Sequence, residues 1–172
     1  NLIPGGTPFN MQNVFVYDLG NNTVEHISRA SDGGWSNGAS HYCSISADGR
    51  FVAFTSSASN LVGGDGNLKT DVFVRDRQSN TTSRVSISTA GGESNGSVGS
   101  ATAQPVISAD GRFVAWESDA TNLVANDTNN QNDIFVRDRG LNTTERVNLV
   151  HNSTNQATGG SSLVITGRGG FP

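Results

Sequence analysis

The chain has 172 residues, 34% of them hydrophobic and 15% charged, with a formal net charge of −4, while Asn, Ser, Thr and Gly together supply 76 positions. A coiled coil or helical bundle would need more Ala, Leu, Glu and Lys, and no run approaches the ~20 apolar residues of a membrane-spanning helix. An acidic chain without a basic patch excludes nucleic acid as the partner, and the single Cys43 leaves no internal disulfide framework and no cysteine-built zinc site.

One lysine, Lys69, against ten arginines, one cysteine and abundant Asn, Ser and Thr together read as a secreted bacterial protein, extracellular, cell-surface or periplasmic. Opening at Asn1, with neither Met nor a leader, the sequence reads as a processed or excised piece.

Strands are predicted along the whole length. Val14–Asp18 and Val24–Arg29 are the first two, rich in Val, Ile and Phe and bounded by Gly and Asn. The string ISADGRFVA follows at Ile45–Ala53 and recurs at Ile107–Ala115, 62 residues later. A second string, NLV followed by D-x-N-x-x-x-D-[VI]-F-V-R-D-R, starts at Asn60 and again at Asn122. Comparing Asn60–Ser88 with Asn122–Val150 gives 16 identities in 29 positions, and a weaker copy runs from Asn1 through Asp18. The last full copy predicts a strand at Pro105–Ser108, a tight turn at Ala109–Arg112 with Gly111 at positive φ, and a strand at Phe113–Ser118. A loop of about fourteen residues leads to strands at Ile134–Asp138 and Thr144–Leu149, joined by a turn at Arg139–Asn142. Only a first strand, Leu163–Thr166, remains at the C-terminus. No stretch carries the 3.6-residue apolar period of a helix.

Four antiparallel strands per unit, repeated, make the blade of a β-propeller. The fold class is therefore all-β, with about 2.75 repeats of ~62 residues in one domain spanning 1–172. The units are a partial blade and connecting loop at 1–41, blades at 42–103 and 104–160, and a partial blade at 161–172. The hairpins SADGRFVAF and SADGRFVAW, at Ser46–Phe54 and Ser108–Trp116, together with DVFVRDR at Asp71–Arg77 and DIFVRDR at Asp133–Arg139, resemble the TolB-like, WD-repeat-like propeller repeats of bacteria. The resemblance implies the fold and says little about function, since such repeats serve in periplasmic scaffolds, secreted proteins and accessory domains of hydrolases. A propeller closes with about four to eight blades, so the blades here are expected to be completed by other copies, as a ring or filament, or by further sequence.

The sharpest local signal is the loop between the second and third strands of each full unit. Asp65, Asn67, Lys69 and Asp71 in one copy, and Asp127, Asn129, Gln131 and Asp133 in the next, stand at positions 1, 3, 5 and 7, the spacing of the first half of an EF-hand loop. Side-chain and backbone oxygens so spaced can converge on Ca²⁺; the same residues can instead cap turns. If calcium binds, its role is structural. The first copy has Gly6–Asn10 instead, where no site is expected.

Catalysis is not expected: there is no G-x-S-x-G elbow, and His26, His41 and His151 fall at unrelated repeat positions. Glu25, Glu93, Glu117 and Glu145 read as surface residues, and His26, aligned with Arg84 and Arg146, as a surface strand residue. Arg75–Asp76–Arg77 and Arg137–Asp138–Arg139 are expected to tie strand ends through arginine–carboxylate bonds, between blades or across the turn. Trp116, in the place of Phe54, reads as core, and Trp35, in a Gly-rich loop, as the better exposed contact. The function expected is a non-catalytic interaction module with Ca²⁺-stabilised loops; the alternatives are a carbohydrate-binding propeller with glycans as partners, or an accessory domain of a secreted hydrolase.

Overall fold

The computed structural model describes residues 11–98 and 104–149. The described residues form ten strands and no helix: β1 Phe15–Asp18, β2 Thr23–His26, β3 Ser40–Ile45, β4 Phe51–Ser56, β5 Asp71–Asp76, β6 Thr81–Arg84, β7 Val106–Ile107, β8 Phe113–Ser118, β9 Asp133–Asp138 and β10 Thr143–Arg146. They pair antiparallel in sequence order as a two-stranded sheet, β1–β2, and two four-stranded meanders, β3–β4–β5–β6 and β7–β8–β9–β10. Each sheet is a blade. The inner strands β3 and β7 lie side by side, with the Ser44 hydroxyl accepting the Ile107 N–H.

Local chemistry sets the turns. Gly49 and Gly111 hold φ of 71° and 73° in the two ADGR hairpins, and a side chain at Gly111 would also run into the Phe51 ring. Asn22, Asn80 and Asn142 all sit at φ 57° in the turn before the outer strand, a conformation asparagine tolerates. The predicted strands are found with shifted ends: β10 stops at Arg146 and β2 at His26. Beyond those points the chain keeps only one ladder bond to its neighbour, the Val147 N–H to the Ile134 carbonyl and the Ile27 N–H to the Val14 carbonyl. The Leu163–Thr166 strand lies outside the described residues. Repeat spacing is 58 residues from Asn13 to Asp71 and 62 from Ile45 to Ile107, so the extra four residues fall between Val98 and Val106.

The core lies between blades. Val14 and Ile27 of the first blade pack with Val52, Phe54, Leu61 and Phe73 of the second. On the other face of the same strands, Ala53, Val72, Val74 and Val85 pack with Val114, Trp116, Leu123 and Phe135 of the third. Strand alternation sends successive residues of β4 and β5 to opposite neighbours, so the middle blade is buried on both faces. Phe54 on Phe73 and Trp116 on Phe135 repeat the same stacked pair, each at 5.9 Å. The core reading of Trp116 agrees with its 1% exposure.

Candidate functional site

The calcium-type loop of the second blade folds around a guanidinium. Arg84, projecting from the end of β6, places Nη1 2.9 Å from Asp65, 3.5 Å from Asp71 and 2.7 Å from Glu93. Asp71 is fully buried and accepts bonds from the Ser86 hydroxyl and the Asn67 amide. Burial pushes the carboxyls of Asp65 and Asp71 up from their ordinary range, opposed by Arg84 in both cases. Glu93, bonded to the Gly66 N–H and to Arg84, is held low.

The third blade repeats the plan. Arg146 Nη1 lies 3.1 Å from Asp127 and 3.6 Å from Asp133. The Asn129 and Asn148 amides both donate to Asp133 Oδ1. Both Asp127 oxygens and Asp133 Oδ2 are buried without a well-aligned hydrogen bond, beside the Arg146 guanidinium. Burial raises the Asp127 carboxyl, and the neighbouring Asp133 charge raises it further.

The carboxylates at positions 1 and 7 thus converge in both copies, but on an arginine. The position-3 amides are engaged locally: Asn67 Oδ1 accepts the Lys69 N–H and Asn129 Oδ1 accepts the Gln131 N–H, each closing an Asx turn. Lys69 and Gln131 are exposed. Among the described residues, no group of three or more His, Cys, Asp or Glu side chains is arranged to hold a metal ion.

In the first blade the same node is neutral. Asn13 replaces the aspartate, and its Oδ1 accepts from the Ser28 and Ser36 hydroxyls and contacts His26 Nε2. His26 replaces the arginine and is 6% exposed, which corrects the surface reading. Trp35 replaces Glu93 and stacks on His26 at 4.4 Å, half-buried, so it too is packed rather than presented. Burial, with Arg29 and Arg75 nearby, lowers the His26 pKa to about 4. A legible signal existed: three charged positions of one node change together to Asn, His and Trp.

The RDR arginines join blades. Arg75 donates to the Ala30 carbonyl of the preceding blade and to Thr82 and Asn80 of its own; Arg137 repeats this with Ser88, Thr144 and Asn142. Arg77 pairs with Glu25 of the preceding blade at 2.7 Å, and the Arg139 guanidinium lies 4.5 Å from the centre of the Phe51 ring. Between them the aspartates tie the turns: Asp76 takes a two-pronged bond from Arg50 and Asp138 one from Arg112. Both expected kinds of arginine–carboxylate tie are present, and Glu25 has a partner the sequence did not reveal.

Among the described residues, one face has no such cover. Ile27 and Val85 are 0% and 2% exposed because the next blade lies on them; Val147, at the same repeat position in the third blade, is 50% exposed, and Leu149 is 38% exposed.

Among solved structures, the chain is similar to a putative TolB from Agrobacterium tumefaciens, at 15% identity and a TM-score of 0.46, over 78% of this chain and 40% of that one. It is likewise similar to the tricorn protease, at 17% identity and a TM-score of 0.46, over 73% of this chain and 11% of that one. The described strands themselves form four-stranded antiparallel meanders of the propeller-blade type. The chain spans less than half the length of either structure. No family model and no curated protein matches the sequence. No helix among the described residues is long and apolar enough to cross a membrane.

Proposed function

We propose that this chain is a non-catalytic interaction module of the cell exterior, whose propeller blades are completed by a further blade from another copy or from additional sequence. The observation that carries the reading is the contrast between Val147 and its repeat equivalents Val85 and Ile27. A large exposed apolar residue is unremarkable singly, but this one sits where the fold twice buries its counterpart under another blade. The non-catalytic part is supported by the use made of the polar residues. The arginines, the buried aspartates and His26 are engaged in holding loops and neighbouring blades. Secretion is supported by the single cysteine and the Asn/Ser/Thr-rich composition.

Calcium belongs to the same proposal as a structural ion of the loops. The Asp127–Asp133 loop suits it better than Asp65–Asp71, because three of its buried carboxylate oxygens make no well-aligned hydrogen bond.

One experiment addresses both parts: the native mass by light scattering over a concentration series, in calcium and in chelator, for the wild type and Val147→Asp. Concentration-dependent association that Val147→Asp abolishes supports completion by another copy. A single-chain mass at every wild-type concentration overturns it. Dissociation in chelator supports the ion, and identical behaviour in both buffers leaves Arg84 and Arg146 as the cations of the loops.

A further inference from the structure

Phe15, Tyr17 and Leu19 stand at the repeat positions of Phe73, Arg75 and Arg77, and of Phe135, Arg137 and Arg139. In the second and third blades these three positions face the preceding blade. The phenylalanines are fully buried there, and the arginines reach across to a carbonyl, a carboxylate or a ring of the neighbour. In the first blade both guanidinium groups are gone. Tyr17 is 55% exposed and Leu19 84%. The Tyr17 hydroxyl donates to Asn22 as Arg75 Nη2 donates to Asn80, so the ring occupies the place of the arginine without its reach to a neighbour.

The opposite end of the molecule carries the complementary half. Val147 and Leu149 occupy the positions of Val85 and Ile87 and are exposed, and Glu145, also exposed, occupies the position of Glu25, the partner of Arg77. Among the described residues, both halves of an interface that the chain builds twice within itself are therefore left uncovered.

We infer that the Phe15–Tyr17–Leu19 face of the first blade receives the third blade of a second copy, through Val147, Leu149 and Glu145. This rests on the interaction-module reading and names the other half of its joint. The contact is head-to-tail, so it leads to a closed ring or an open fibre rather than a two-fold dimer. Its specific feature is weakness. Lacking both latch arginines, the joint offers Glu145 no cationic partner at position 19 and is more easily opened than either internal one.

The loss can be restored. In sedimentation velocity, Leu19→Arg is expected to tighten self-association about tenfold by pairing with Glu145 of the second copy as Arg77 pairs with Glu25. The gain should vanish in the Leu19→Arg/Glu145→Gln double variant. Leu19→Asp is expected to weaken association about tenfold. The side chains at 19 and 145 are exposed, so circular dichroism should show the folded state unchanged. Weakening by Val147→Asp with no response to either Leu19 variant overturns this inference and leaves the module reading standing, with the third blade covered by some other surface. Indifference to all the variants, or a single-chain mass throughout, overturns both.

Discussion

The first and second blades carry the same node in two chemistries. The second holds Arg84 among Asp65, Asp71 and Glu93, four charged groups in a partly dry loop. The first holds Asn13, His26 and Trp35, which bind one another through neutral hydrogen bonds and a ring stack. Buried charge tolerates little: Asp65 and Asp71 keep a counter-charge only while the arginine stays. A neutral node costs less to build and less to lose, but it carries a histidine that answers to pH. One backbone can thus be pinned by an ion cluster or by an aromatic pair, provided all members change together.

The largest effect should come from breaking the charged node. Arg84→Met leaves Asp65 and the fully buried Asp71 without a counter-charge and is expected to cost about 3–5 kcal/mol, measured by urea unfolding. A cost under about 1 kcal/mol would mean that the loop rearranges to hydrate its carboxylates. Restoring neutrality with Arg84→Met in an Asp65→Asn/Asp71→Asn background should recover part of the loss.

The neutral node is tested by acid. The folded His26 pKa of about 4 lies below its ordinary 6.5, so the unfolded chain binds the extra proton first. The contribution is fully present above pH 6.5 and is lost as pH falls towards 4. The decline between those limits amounts to roughly 2–3 kcal/mol at most. A His26→Gln variant should flatten this part of the stability profile; an unchanged slope would assign it to the carboxylates instead.

The smallest effect separates covered from uncovered blade faces. Val85→Ala should cost about 1–2 kcal/mol through lost burial, while Val147→Ala in the dissociated single chain should lie within about 0.5 kcal/mol of the wild type. Equal costs at the two positions would mean that Val147 is covered within one chain.

Much of this architecture was legible in the chain itself. Strand alternation, the ADGR turns with Gly49 and Gly111, and the 62-residue repeat determine the four-stranded blade, because hairpin geometry and a two-residue period are local properties. The arginine–aspartate ties at Asp76 and Asp138 were readable for the same reason: they join strands adjacent in sequence. What only the tertiary structure decided is which groups meet across blades. Arg84 fills the space that spacing alone suggested for a cation, since it arrives from β6, 19 residues beyond Asp65. His26 is buried and Trp35 stacked because Phe15 and the loop returning after β2 close on the imidazole. Val147 is bare where Val85 is covered although both follow the same strand motif. Burial is a property of neighbours, and no residue's own sequence position states which neighbour it will have.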